Sequence, residues 1–190
     1  MSVSTKREQL IAAALRLFNE GGFHATGIDR ILAEAGVAKM TLYKHFRSKD
    51  ELILAALRDE DERQRNRLML EVERRARTPR DRLLAVFDVV GEWASAPGFR
   101  GCPFIRASGE FGDLDDPIHA ACLEHTSLVR RYFERLAGEA GAGDHAELAR
   151  QLMLLFTGAL VASQSQGDAT PLGTARTAAM ALIDAATRSN

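Results

Sequence analysis

Cysteine, aromatic side chains and long apolar runs are all scarce in this chain, and each shortage narrows what it can be. Two cysteines among 190 residues cannot build the disulfide framework of a secreted scaffold, so a reducing cytoplasm is the expected setting. The opening MSVSTKREQ is polar and lacks the apolar centre of a signal peptide. The longest apolar-looking stretch, residues 153–162, is broken by Thr157 and Gly158 and is too short to span a bilayer. No segment shows the period-two alternation of a strand, and no internal repeat is visible. The sequence also lacks a G-x-S-x-G elbow, a glycine-rich phosphate loop behind a strand, H-E-x-x-H and a convincing carboxylate pair, so no enzymatic activity is expected. Asp113, Asp115 and Asp116 cluster where a helix starts, and capping accounts for them. His119, Cys122 and His125 fall at i, i+3 and i+6, spread over about a third of a helical wheel. With no further Cys/His pair to complete a tetrahedron, neither a metal nor a cofactor is expected.

What is present favours helix. Hydrophobic residues make up 46% and charged residues 27%, the balance of an ordinary soluble globular protein, and Ala, Leu, Arg and Glu are abundant. Leu10, Ala14, Leu17 and Phe18 recur at helical spacing, widened by Ile11 and Leu15, until Gly21-Gly22 stops the run. Thr26 is the expected N-cap of a short second helix over 27–35, with Asp29 in its positive first turn. Gly36 turns the chain into a third helix over 38–45. Ser48 caps a fourth, expected to run as far as Arg77. Thr78-Pro79 opens a fifth, with proline at the position where no N–H is missed. The segment CPFIRASGEF reads as a short apolar helix, and Asp116-Pro117 opens a long one reaching about Ala140. Asp144 with Glu147 resembles a capping box for the eighth, and Thr170-Pro171 starts the last, ending near Thr187. The expectation is an all-α protein of about nine helices.

Charge is distributed unevenly along that string. Residues 1–49 carry eight Lys/Arg against four Asp/Glu, a charge of +4; the chain totals -1, so the remainder carries -5. A basic head on an acidic body points to a head that meets a polyanion. Two domains are expected: 1–48 as the basic head and 49–190 as the acidic body.

The stretch ILAEAGVAKMTLYKHFRSKDEL, residues 31–52, concentrates these signals. On a wheel of about 3.6 residues per turn, Ala38, Leu42 and Phe46 share one apolar face, with Val37 beside them in the turn. Met40, Thr41, Tyr43 and Lys44 point away from it. A short helix so divided, entered through a glycine turn, has the form of a helix-turn-helix recognition element. Lys44 and Lys49 would neutralise phosphates; Tyr43, Thr26 and His45 would donate to phosphate oxygens and fix register. Lys39 and Thr41 are best placed for base edges, and Met40 for a thymine methyl in the major groove.

These residues resemble the N-terminal region of the tetracycline-repressor (TetR) family of bacterial transcriptional regulators. The resemblance spans about the first 57 residues. It rests on the F-x-x-x-G-x-x-x-T run of Phe18, Gly22 and Thr26, the A-G-V turn at residues 35–37, and the T-L-Y-x-H-F-x-S-K-x-E-L block at residues 41–52. Two positions depart from it. Many relatives have Ser or Thr where Ala38 stands, which would cap the recognition helix, and many have Gly where Met40 stands. The resemblance implies that 1–48 is a helix-turn-helix DNA-binding domain and 49–190 an effector-binding and dimerisation domain, with a homodimer, formed through the last two helices, placing two recognition helices on a palindromic operator of double-stranded DNA. It also implies a repressor released when a small-molecule effector enters the body. The alternative is a regulator without such a ligand, an activator or one sensing redox state through Cys102.

In the body, Leu148, Leu152, Leu155, Ala159 and Ala162 of the eighth helix, with Ala175, Ala178, Ala179, Leu182 and Ala186 of the ninth, form stripes suited to a four-helix dimer interface. Read otherwise, they cover the monomer's own core. Residues suited to an effector pocket are Phe87, Trp93, Cys102, Phe104, Phe111, His119, Cys122 and Phe156, apolar or amphipathic side chains of the middle helices.

Overall fold

A computed structural model describes residues 5–188. Among them are nine α-helices and no strand: α1 Lys6–Gly21, α2 Ile28–Ala35, α3 Lys39–His45, α4 Lys49–Arg75, α5 Pro79–Ser95, α6 Pro103–Glu110, α7 Pro117–Glu139, α8 His145–Gln166 and α9 Thr170–Thr187.

The helix ends follow local chemistry. Thr5 caps α1 with a reciprocal box: its hydroxyl accepts from Glu8 N–H, and the Glu8 carboxylate accepts from Thr5 N–H at 2.8 Å. The sequence reading passed over this box. Gly36, with φ of 61°, takes the left-handed turn between α2 and α3, which a side chain would resist. Thr78 caps α5 ahead of Pro79. Only half of the box expected at α8 forms: Asp144 accepts from Glu147 N–H at 2.9 Å, while the Glu147 carboxylate takes Arg150 and Gln151 instead. A long side chain beside two donors one turn ahead has a better partner than the backbone behind it.

The chain forms two compact units. The first comprises residues 1–63 and 103–124, and the second residues 64–102 and 125–190. The division thus falls within α4 rather than ahead of it as in the 1–48/49–190 reading, whose first four and last two residues lie outside the described part. In the first unit α1, α2 and α3 pack on one another around Leu10, Phe18, Ile31, Leu42 and Phe46, all buried. Arg16 on α1 pairs with Glu34 on α2 across the outside, and the guanidinium's pKa is raised by that hydrogen bond and charge.

α6 belongs to this unit because polar side chains tie it to the end of α1. The Glu110 carboxylate accepts from the backbone N–H of Phe23 (3.0 Å) and His24 (2.7 Å), and the Arg106 guanidinium donates to Asn19 O at 2.7 Å. Asn19 O is one of the carbonyls that the last turn of a helix leaves without a partner of its own. Phe111 completes the dock, 6.2 Å from Phe23 edge-on and 4.6 Å from His24.

In the second unit α8 packs on α9, and both pack on α5. Phe87, Phe133 and Phe156 meet with ring centroids about 6 Å apart, close to the edge-on arrangement aromatic rings prefer. α8, with mean hydropathy 1.2 over its most apolar window, is the one described helix long and apolar enough to cross a membrane. The apolar stretch at 153–162 is short, but the helix around it is 22 residues long. Leu148, Leu152, Phe156 and Ala159 form a buried core face on it.

Candidate nucleic-acid interface and ligand cavity

The three head helices place α3 on the surface with its apolar side inward. Leu42 is fully buried and Phe46 nearly so, while Met40 is 81% exposed. Lys39, Tyr43, Lys44 and His45 are exposed with it, and Thr41 is half-buried. The two sides separate because residues three and four apart share a helix face. Ala38 departs from the wheel reading: it is the N-cap of α3 and exposed, outside the helical geometry from which its face was inferred. It makes no side-chain cap bond, as a methyl group must.

Thr26 lies differently from the expectation. Its side chain is fully buried, and its hydroxyl donates to Gly22 O at 2.7 Å and Leu17 O at 3.2 Å. A hydroxyl so engaged has no proton left for a phosphate, and the α2 N-cap passes to Gly27. Thr26 therefore locks the α1–α2 turn from inside. The cap at α4 forms as expected, with Ser48 Oγ accepting from Glu51 N–H. Lys49, half-buried at the start of α4, donates one Nζ proton to His24 O at 3.0 Å, which leaves two for other acceptors. Arg106 and Glu110 went unmarked at the level of sequence. Their partners stand more than 80 positions away, and no local period marks such a pair.

A cavity of about 60 Å³ lies within the second unit. Of the residues expected around an effector, Trp93, Cys102 and Phe156 line it. Phe87 is core, packed edge-on against Phe156. Phe104, Phe111, His119 and Cys122 belong to the first unit, where Phe104, Phe111 and Cys122 are buried and His119 bonds through Nδ1 to Phe111 O at 2.8 Å. Their apolar character suited a pocket, but the bonds from Arg106 and Glu110 draw that segment to the head. Gln64, Arg65, Phe99 and His125 also line the cavity; they are not among the residues the sequence suggests for a pocket, since no local period brings them together. Trp93 is fixed in place. Its indole N–H donates to Glu71 at 3.0 Å, and the Arg67 guanidinium sits 4.5 Å over its ring. Burial works to raise the Glu71 pKa, but the hydrogen bonds from Arg67 and Trp93 and the nearby arginine charges outweigh it and hold the carboxyl below its usual value.

A glycine-turned pair of short helices, the second exposing cations and hydroxyls over a buried apolar face, defines a helix-turn-helix DNA-binding protein. The chain matches the family described as bacterial regulatory proteins, tetR family, over residues 10–56, and the tetracyclin repressor-like C-terminal domain over residues 79–179. It belongs to the TetR family of transcriptional regulators, and it is a DNA-binding regulator of transcription. A TetR-family transcriptional regulator from Streptomyces coelicolor has a similar structure, with 32% identity, 96% coverage of each chain and a TM-score of 0.89. The transcriptional regulator LmrA of Bacillus subtilis is 24% identical over 176 residues, 90% of this chain and 93% of its own. The transcriptional activator FasR of Mycolicibacterium smegmatis is 52% identical over 52 residues, which is 27% of this chain and 24% of its own.

Proposed function

We propose that the chain is a homodimeric cytoplasmic repressor that binds a palindromic operator through α3 and is released by a small-molecule effector. The observation that carries the DNA assignment is the division of α3, with Leu42 fully buried and Met40 81% exposed. In this reading Lys44, Lys49, Tyr43 and His45 hold phosphates. Lys39, Met40 and Thr41 face base edges, with Met40 against a thymine methyl. Two α3 helices enter successive major grooves, about 34–36 Å apart or somewhat more.

The dimer surface is a revised one. Leu148, Leu152, Ala159, Ala175 and Ala179, half of the ten stripe residues, are buried within the single chain and serve its own core. The apolar face left on α8 is Leu154 (75% exposed), Gly158 and Val161, with Ala178 and Met180 exposed on α9. Pairing these faces across a two-fold axis gives the two heads the symmetry of a palindrome.

An effector acts only through its different affinity for two states. α4 runs from the head unit into the unit holding the cavity, which makes it the lever. DNase footprinting upstream of the gene, with transcription measured from the same template, tests the proposal: a protected inverted repeat and reduced transcription are expected. Protection with increased transcription would make the protein an activator, as FasR is, whose likeness extends over 52 residues.

A further inference from the structure

We propose that Glu110 of α6 is a positioning residue for DNA binding: through the backbone of His24 it holds the Lys49 ammonium in place for a phosphate. This rests on the reading of Lys49 as a phosphate contact and extends it to a residue outside the helix-turn-helix.

His24 lies in the turn between α1 and α2 and is fixed on three sides. Its backbone N–H donates to the Glu110 carboxylate at 2.7 Å, and its ring Nε2–H donates to Glu110 O at 2.9 Å. Its own carbonyl accepts from Lys49 Nζ at 3.0 Å. The other Glu110 carboxylate oxygen takes the N–H of Phe23 at 3.0 Å, so one side chain of α6 pins two successive peptide groups. Phe23 is fully buried and stacks on Phe18 with ring centroids 5.0 Å apart, which ties that end of the turn to the core. Gly22 gives the carboxylate room: a Cβ there would stand 3.0 Å from Glu110 Oε1, and its φ of +88° already favours glycine. The turn that presents the His24 carbonyl to Lys49 is thus shaped by a side chain 86 positions away.

Lysine carries its ammonium on a flexible four-carbon stem, and immobilising such a side chain at an interface lowers affinity. Lys49 is already held. One Nζ proton is on His24 O, and two remain for phosphate oxygens, so part of the ordering cost is met before DNA arrives. Lys44, exposed on α3, takes no part in these bonds and serves as the control. The sign of the effect separates positioning from bulk charge. Removing an acid from a DNA-binding head relieves repulsion and by charge alone would tighten binding, whereas losing the anchor of Lys49 weakens it.

The test is a double-mutant cycle on the full chain, with a duplex enriched from a random-sequence pool as the probe. Lys49→Ala is expected to weaken binding about fivefold and to lower the salt slope by about one per half-site. In a Glu110→Ala background, itself weaker than the native chain, the same change should cost less than about twofold, because the ammonium it removes is no longer held. Lys44→Ala should cost the same factor in both backgrounds, a pattern that a disordered head would not produce. Glu110→Gln keeps an acceptor of the same shape without the second carboxylate oxygen, and it covers the case in which Glu110→Ala does not fold; the cost of Lys49→Ala should fall there as well. An unchanged cost of Lys49→Ala in either Glu110 variant, tighter binding by Glu110→Ala, or an equal fall in the cost of Lys44→Ala would each overturn the proposal. A Lys49→Ala chain with native affinity and salt slope would overturn the phosphate reading of Lys49 itself, and the proposal with it.

Discussion

Lys44 and Met40 stand on the same exposed face of α3, yet they are expected to act on DNA in different ways. A lysine that neutralises one phosphate releases counterions whatever the sequence. Lys44→Ala should therefore weaken binding to specific and non-specific duplexes alike, and lower the salt dependence by about one per half-site; an unchanged slope would remove Lys44 from the backbone contacts. A methionine against a thymine methyl reads one base pair. Met40→Ala should redistribute preference at that pair, and uniform weakening across operator variants would count against a base contact. Tyr132 offers a prediction unrelated to DNA. Its hydroxyl is buried without a hydrogen-bond partner, and burial pushes its pKa up to about 12. Between the ordinary value near 10 and 12 the unfolded chain gives up this proton while the folded chain holds it. Tyr132 thus favours the folded state below pH 10 and loses that effect as pH rises through 12. Tyr132→Phe, which removes an unsatisfied polar atom, should leave stability at pH 7 unchanged or higher and flatten its fall above pH 10 in thermal melts. At this scale sequence reading succeeded where a residue's role depends on its own helix. Periodicity placed Leu42 and Phe46 inward and Met40 outward. It failed at Thr26, because whether a hydroxyl caps the next helix or bonds back to Leu17 and Gly22 is decided by how two helices pack.

At the scale of elements, the ends of helices were the legible part. Proline after threonine at 78–79 and 170–171, and glycine at 22 and 36, announce themselves because backbone geometry there is dictated by one residue. The membership of α6 was not legible. Its apolar residues have the composition of a pocket wall, whereas the bonds that fix it run from Glu110 and Arg106 to residues of and just after α1. Glu110→Ala should leave the Phe23 and His24 N–H groups without their charged acceptor. Hydrogen bonds to charged groups contribute about 1.5–3 kcal/mol, reduced here by partial exposure. A fall in Tm of several degrees is expected for a chain of this size, together with faster amide exchange at Phe23 and His24. Unchanged exchange at those two amides would mean the contact carries no stability.

Across the whole molecule, a helix-rich chain of near-zero net charge separates a cationic reading surface from an acidic body, and family membership rests on both its parts. The all-α architecture was legible because every segment declared its own helix. The use of the α8 and α9 stripes is less legible, because apolar residues at helical spacing look alike whether they face the chain's own core or a second copy. Leu154 decides between the two surfaces. It is 75% exposed, so Leu154→Arg should leave the monomer folded by circular dichroism while shifting sedimentation from dimer to monomer and weakening operator binding. A persisting dimer would place the interface elsewhere.

We propose that two copies of α3 read a symmetric DNA site. Selection of bound duplexes from a random-sequence pool, followed by sequencing, addresses it whatever the operator's sequence. One inverted repeat whose half-sites lie about one helical turn apart or somewhat more should be enriched, and the Lys44→Ala variant should enrich the same repeat with a lower yield of bound duplex at the same salt. Enrichment of an asymmetric site, or none at all, would contradict it.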